Sequence, residues 1–400
     1  MSTKHNRILQ KLKVKSQKLK ILTTGLLFLT FNLIPLTCIH GAFQDTGWGT
    51  RAGGMGNSFT AIANDPSAAL WNPAGIAQVE MLETTFMYNK LFAGIEDVNL
   101  SQMYAAGVYP TGIGAFGLTI TDFGLRGYYK ENIIAASYSR DLADDLGLEF
   151  PIMTGLNLKY LTHSYILDDR TKDIDNPVFS GGTSAGGFTP DLGILVKPSV
   201  YSFGFSALNI LQPDVGLKSE DKVPMILKLG TAYSAGDWSF FENITPTVDV
   251  SYRKPRDTAA DLKVSGGVET WFFYNTCAAR FGGNDREITL GFSYSKMFSE
   301  TGLQLDYAYS IPLQLSDTSG SHRISLTFRY SLVAIVKAKV KNAQEEGLHL
   351  PYPATQKKEE TAPAQKELSP ERKAELKKGN FDAAVKHYEK GEYEIGRAHV

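Results

Sequence analysis

The chain has 400 residues, of which 43% are hydrophobic and 21% charged, so its composition excludes an intrinsically disordered protein. The mean hydropathy of −0.17 excludes a bundle of transmembrane helices, while 11% aromatic residues and 37 glycines favour β structure. The net charge is −1, but all seven charges in residues 1–20 are basic, so the rest of the chain is mildly acidic. That balance argues against a nucleic-acid partner.

The first residues predict an export signal. A basic segment, residues 1–20, precedes an uncharged apolar stretch that ends at the small residues Gly41 and Ala42. This order is typical of a secretory signal peptide, which we predict over residues 1–42, with cleavage near Ala42. An uncleaved membrane anchor is the alternative. Cleavage would remove one of the two cysteines and leave Cys277 alone, so no intramolecular disulfide is expected.

The segment that follows predicts a compact element of helices and turns and not a strand. Residues 45–77 are rich in small residues that allow tight packing, and Asp65-Pro66 is typical of the start of a new element. Asn72-Pro73-Ala74-Gly75 is a turn signal.

Residues 83–330 predict an antiparallel β-barrel, because apolar and polar side chains alternate with period two. Strands of about 9–11 residues suit a tilted crossing of a bilayer. Numbered by the strand that each follows, several even-numbered connections are short, as at 110–111, whereas the longest, 164–187, follows the fifth strand. Short turns at one end and longer loops at the other are the pattern of outer-membrane barrels. A soluble β-sandwich or propeller is the alternative. The fourteen candidate strands are 83–92, 97–109, 112–122, 131–140, 152–163, 188–197, 201–210, 224–235, 244–253, 262–272, 275–282, 286–298, 302–311 and 321–330.

The segment before the barrel closely resembles the PorV/PorQ family of the FadL-like superfamily of outer-membrane barrels, and the resemblance covers roughly residues 43–330. It implies a fourteen-stranded barrel whose lumen holds residues 43–82 as a plug. It also implies a non-enzymatic protein of the outer membrane of a diderm bacterium, which holds exported cargo and passes it to surface-attachment machinery of type IX secretion. The matching residues are Arg51, Met55, Gly56, Phe59, Ala61, Asp65, Pro66, Ala68, Trp71, Asn72, Pro73, Ala74 and Gly75.

We assign the plug motif a structural role and not direct ligand contact. We expect Arg51 and Asp65 to pair inside the lumen, with separate solvation of each as the alternative. We also expect Asn72 to cap or close a turn, and Gly75 to supply an unusual backbone angle. The motif comprises Arg51, Met55, Gly56, Asp65, Pro66, Asn72, Pro73 and Gly75.

No residues point to catalysis, a cofactor or a metal ion. Gly112–Gly117 fits G-x-G-x-x-G but leads into a strand, and Gly182–Gly186 fits G-x-S-x-G in a loop without a helix. Four aspartates in residues 168–175 are read as a solvated loop, with a hard-cation site as the alternative.

The composition changes after residue 330. Residues 331–368 read as a linker, and Ser369-Pro370-Glu371 predicts the start of a helix. Residues 369–394 resemble part of a tetratricopeptide repeat, while a lone amphipathic helix is the alternative. Residues 395–400 resemble a translated sequencing adapter.

Three functions remain open from the sequence. The first is a secretion-associated barrel with exported cargo or secretion-machinery components as partners. The second is a FadL-like channel for hydrophobic small molecules, which an apolar lumen pocket would favour. The third is a structural barrel, embedded in outer-membrane lipid, that anchors a periplasmic repeat domain for binding other periplasmic proteins.

Overall fold

The computed structural model describes residues 42–96, 98–167, 177–236, 241–255, 259–315 and 317–331. Contacts divide the chain into two compact units, Met1–Asn342 and Ala343–Val400, and every described residue belongs to the first. The predicted signal peptide up to residue 41, the aspartates of residues 168–175, the repeat and the adapter-like end lie outside the described residues.

The fold is a closed barrel of fourteen antiparallel strands in sequence order, with β1 also pairing with β14, so the predicted fold class is confirmed. Because the barrel closes, no strand remains at an unpaired edge of an open sheet. The strands are β1 (Leu82–Lys90), β2 (Leu100–Thr111), β3 (Gly114–Leu125), β4 (Tyr129–Asp141), β5 (Ile152–Tyr165), β6 (Ser184–Val196), β7 (Tyr201–Leu208), β8 (Ile226–Tyr233), β9 (Phe241–Arg253), β10 (Asp261–Phe272), β11 (Cys277–Asn284), β12 (Glu287–Phe298), β13 (Thr301–Pro312) and β14 (Ser321–Tyr330).

The alternation in sequence becomes two faces of the wall. On β12, Leu290 points outward and is 51% exposed, whereas its neighbour Thr289 points into the barrel and is 1% exposed. The outer face is therefore apolar and the inner face polar, the reverse of a soluble barrel and the arrangement expected of a wall that faces lipid. No helix within the described ranges is long and apolar enough to cross a bilayer.

The two ends of the barrel differ in their connections. At the proximal end, where β1 begins and β14 ends, β2–β3 and β12–β13 are joined by tight turns at residues 112–113 and 299–300. At the distal end, β5–β6 and β7–β8 are joined by the long connections 166–183 and 209–225. The observed parity of short and long connections agrees with the pattern expected from the sequence.

Residues 42–81 run through the barrel before β1. They form a short helix, α1 (Thr50–Gly54), and two 3-10 helices, η1 (Pro66–Leu70) and η2 (Pro73–Gln78). Two further short helices lie in connections between strands, α2 (Ala143–Leu146) at the proximal end and η3 (Pro177–Gly181) at the distal end. The strand alternation did not indicate these last two, since each spans only about one turn.

Candidate functional site

The lumen is filled by residues 42–81. Met55, Phe59 and Ile76 are fully buried, and the Phe59 ring packs edge-on against Trp71 with 6.3 Å between ring centroids. These apolar side chains pack mainly against one another, while the backbone of the segment meets the polar inner wall. The segment thus has a small hydrophobic core of its own inside a polar tube.

Two side chains cap the 3-10 helices. Asp65 precedes η1, and its Oδ1 accepts hydrogen bonds from Ser67 N at 2.9 Å and Ser67 Oγ at 2.6 Å. Asn72 precedes η2, where its Oδ1 accepts a hydrogen bond from Ala74 N at 3.2 Å. Pro66 and Pro73 occupy the first position of each helix, where the missing N–H is not needed.

Asn72 also ties the segment to the wall. Its fully buried Nδ2 donates to Thr60 O and to Ile194 O on β6, both at 3.0 Å. All the polar atoms of this amide therefore have partners, which offsets the cost of burying it. The turn-closing role expected of Asn72 agrees with this geometry, which adds a contact with the wall.

Glycines at two positions of the motif allow another stretch of backbone to lie very close to the chain. At Gly56 the φ angle is +67°, and a Cβ would lie 2.2 Å from Gly283 N on β11. At Gly75 the φ angle is not positive, and a Cβ would lie 1.9 Å from Ala63 O. Gly75 is therefore required by space and not by the unusual backbone angle that the sequence suggested.

Arg51 forms the main charged contact between the segment and the wall. Its Nε and Nη2 donate to the two carboxylate oxygens of Glu269 on β10, each at 2.6 Å. Its Nη1 donates to Asn64 Oδ1 at 2.5 Å and lies 3.7 Å from Asp65 Oδ2. The expected pair of Arg51 with Asp65 is present but long, because the guanidinium is aligned with Glu269 in the bidentate geometry that it prefers.

Glu269 begins a buried polar belt along the inner wall from β10 round to β1. Arg280 Nε donates to Glu269 Oε2 at 2.6 Å, and its Nη1 donates to Ser293 Oγ at 2.5 Å. Ser293 then donates to Asp306, and Arg329 Nε donates to Glu83 Oε1 at 2.9 Å. The belt contains Glu269, Arg280, Ser293, Asp306, Gln304, Arg329 and Glu83.

A second charged contact lies nearer the distal end. Asp45 Oδ2 accepts a hydrogen bond from Lys228 Nζ on β8 at 2.6 Å. Burial alone would raise the pKa of Asp45, but the charges of Lys228 and Lys263 outweigh it and hold this pKa below its ordinary value. Asp45 is thus ionised in the folded protein.

Beside the segment, the described residues line a large cavity at the proximal end. Its volume is about 910 Å³, and Arg51 and Glu269 are among the residues that line it. Its lining is mixed, with amides and hydroxyls beside aromatic rings, among them Asn64, Gln78, Lys197, Trp271, Tyr274 and Asn275. The cavity is a polar vestibule at the proximal end and not an apolar passage.

Comparison with known sequences decides the family. The profile of the type IX secretion system membrane proteins PorP/SprF matches residues 67–328. The chain belongs to the PorP/SprF family. This confirms the predicted membrane barrel of type IX secretion and its non-enzymatic nature, and it corrects the family, for which the sequence had suggested PorV/PorQ. No curated protein matches this PorP/SprF sequence.

Solved structures provide distant likenesses to the PorP/SprF barrel. A FadL homologue of Pseudomonas aeruginosa is 13% identical over 73% of this chain and 100% of its own, with a TM-score of 0.49. The monoaromatic hydrocarbon channel CymD is 14% identical over 73% of this chain and 99% of its own, with a TM-score of 0.48. The toluene transporter TodX of Pseudomonas putida is 10% identical over 73% of this chain and 99% of its own, with a TM-score of 0.43.

The wall partners of the PorP/SprF plug segment were not identified from the sequence. Glu269 is the anchor for Arg51, and Asp249 on β9 accepts hydrogen bonds from the backbone of Phe59 and Thr60 at 2.8 and 2.7 Å. One indication was available in the sequence, since each carboxylate occupies an inward-facing position of a strand whose polar and apolar residues alternate. Their pairing with a segment some 200 residues away could not be inferred from a single sequence.

Neither glycine motif forms a nucleotide or nucleophile site. Gly114 already belongs to β3, and Ser184 begins β6, so each motif leads into a strand and not into a helix. Among the described residues, no cluster of His, Cys, Asp and Glu has the geometry to hold a metal ion.

Proposed function

We propose that this PorP/SprF protein is a closed barrel of the outer membrane that serves type IX secretion as a docking platform. In this account it holds exported cargo or components of the secretion machinery and passes cargo towards the cell surface. The lumen does not carry cargo or small molecules. The observation that supports this function best is the lumen filled by residues 42–81.

The contacts of the plug segment favour a closed state. Arg51 is bound to the wall by a bidentate pair with Glu269, Lys228 binds Asp45, and Asp249 accepts two backbone amides. Releasing the segment would leave several of these buried charged groups without partners, which is costly in a low-dielectric interior.

The polar inner wall also argues against a FadL-like channel for hydrophobic compounds. Such a channel needs an apolar pocket in the lumen, because a hydrophobic ligand gains free energy by leaving water. The cavity at the proximal end has a mixed lining of polar and aromatic side chains. We keep the channel as the alternative that experiment must exclude.

We further propose that the proximal end faces the periplasm. In outer-membrane barrels the tight turns lie on the periplasmic side. Tyr330 ends β14 at the proximal end, so the chain beyond it starts on that side. A helical repeat at residues 369–394 would then lie in the periplasm, where it would add a binding surface for other proteins.

Photo-crosslinking from the two barrel ends tests the platform. A crosslinking amino acid at Tyr274, which is 94% exposed beside the cavity, is compared with one at Leu211, which is 66% exposed in the distal connection. We expect position 274 to capture exported proteins or secretion-machine components from intact cells. Capture of bulk outer-membrane proteins alone, together with uptake of hydrophobic compounds by the purified barrel, would support the channel instead.

A further inference from the structure

A buried carboxylate at the distal end accepts a hydrogen bond from the backbone nitrogen of Phe43. Glu131 lies near the start of β4 and is 7% exposed. Its Oε1 accepts hydrogen bonds from Tyr129 Oη and from the backbone nitrogen of Phe43, both at 2.8 Å. Within the described ranges, no Lys or Arg nitrogen forms an ion pair with it, unlike the carboxylates of Asp45, Asp191 and Glu269.

This arrangement is costly for a chain that continues upstream of Phe43. An ionised carboxylate removed from water needs a compensating charge as well as hydrogen bonds. In a continuous chain, the nitrogen of Phe43 is a neutral amide that donates one hydrogen bond. In a chain that begins at Phe43, the same nitrogen is an α-ammonium group with a full positive charge.

The predicted signal peptide ends at Ala42, so Phe43 is the residue at which the mature chain would begin. We propose that Glu131 is the counter-ion of the α-ammonium group that signal-peptide cleavage creates on Phe43. The inference rests on cleavage at this position and goes beyond the proposed role in secretion. It means that the barrel has a built site for its own processed N-terminus.

The surroundings of Phe43 hold its nitrogen at this site. The ring is buried in an apolar cluster with Leu161, Val215 and Val223. It also packs edge-on against His163, with 6.5 Å between ring centroids. Since Val215 and Val223 belong to the connection between β7 and β8, this connection packs against Phe43 at the distal end.

His163 is the other titratable ring that faces the site. Its Nε2 lies 2.6 Å from Val215 O, and because a carbonyl oxygen only accepts, Nε2 carries the proton. His163 is also the cross-strand partner of Glu131 in the pairing of β4 with β5. Tyr129 and Tyr165 also contact the ring, and both His163 and Arg253 interact electrostatically with Glu131. The Phe43 nitrogen is the group of the plug segment that donates a hydrogen bond directly to this carboxylate.

The test has two steps on the full-length protein isolated from outer membranes. Intact mass and N-terminal sequencing first establish the mature start, which the proposal requires to be Phe43. The α-amino group is then titrated by ¹³C NMR after reductive methylation, which keeps its charge. An ordinary α-amino group has a pKa of about 7.7–8.0, and burial alone lowers it. The proposal predicts a pKa above 9, so that the fraction of uncharged amine at pH 8 falls at least about fivefold.

Variants assign the effect to Glu131. In Glu131→Gln, the pKa of the α-amino group falls to its ordinary value or below, whereas Glu83→Gln at the proximal end leaves it unchanged. If Glu131→Gln does not fold, the titration of the wild-type protein still decides. A mature chain that starts elsewhere, or an α-amino pKa at or below 8 in the folded wild type, overturns the proposal.

Discussion

Removing the Glu269 side chain leaves two buried guanidinium groups without a carboxylate partner, and the structure indicates how much stability this costs. Arg51 loses both of its 2.6 Å hydrogen bonds to the carboxylate, and Arg280 loses the bond from its Nε at 2.6 Å. Breaking a buried ion pair by deleting one partner costs about 3–5 kcal/mol. Because Glu269→Ala leaves two guanidinium groups without this partner, we expect about 4–5 kcal/mol, roughly a thousandfold in the unfolding equilibrium.

The complementary deletion is expected to be milder. In Arg51→Ala, Glu269 keeps its pair with Arg280, so the loss is about 2–3 kcal/mol, the contribution of hydrogen bonds to a charged group. The control is Asp145→Ala, which removes an exposed pair with Arg140, where the side chains are 48% and 46% exposed, and costs less than about 1 kcal/mol.

The assay is urea unfolding of the refolded barrel in lipid, monitored by tryptophan fluorescence. Free energies of unfolding are compared between variants that show the same dependence on urea concentration. The expected order of stability loss is Glu269→Ala, then Arg51→Ala, then Asp145→Ala. If Glu269→Ala and Asp145→Ala lose the same free energy, the charged contact does not hold the segment in the lumen and the reasoning is refuted.

Three further predictions concern space, charge and the tail. Gly75→Ala should destabilise the barrel in the same assay, because its Cβ would meet Ala63 O at 1.9 Å, while Gly112→Ala, with open space around it, should be neutral. Since the pKa of Asp45 is lowered, its stabilising pair is complete above about pH 4 and is lost as the pH falls towards the lower folded pKa. Asp45→Asn should therefore lose less stability than wild type between pH 5 and 2, and equal losses would contradict the pairing. Deleting residues 341–400 should leave a folded barrel, detected by its heat-dependent gel mobility, but lower type IX secretion; unchanged secretion would count against a role for the tail.

The barrel could be predicted from the sequence because a two-sided wall imposes a strict period of two. Fourteen strands were expected and fourteen are present, with shifts at their ends. The start of β6 shows the limit, since it was expected at residue 188 and lies at Ser184. Residues 184–187 combine small side chains with glycine and lack the alternation that marks the other strands.

The contents of the lumen were predictable only in part. Asp65-Pro66 indicated the start of an element, which is η1, whereas Asn72-Pro73 indicated only a turn, where η2 begins; both signals are local. The partner of Arg51 was not predictable, since it depends on how a strand over 200 residues away is rotated and staggered. The space that requires Gly75 likewise depends on Ala63, which only the folded segment brings against it.

A disulfide between the plug segment and the wall distinguishes a lumen that stays closed from one that opens during secretion. Ser58 Oγ and Thr247 Oγ1 lie 3.1 Å apart, so Ser58→Cys with Thr247→Cys in a Cys277→Ser background should form a disulfide between the segment and β9. Type IX secretion is then measured in cells before and after reduction, with Ser58→Cys alone as the control. We expect secretion to continue with the disulfide formed, because the lumen is not the path of the cargo. Secretion that stops in the locked protein and returns on reduction would contradict it.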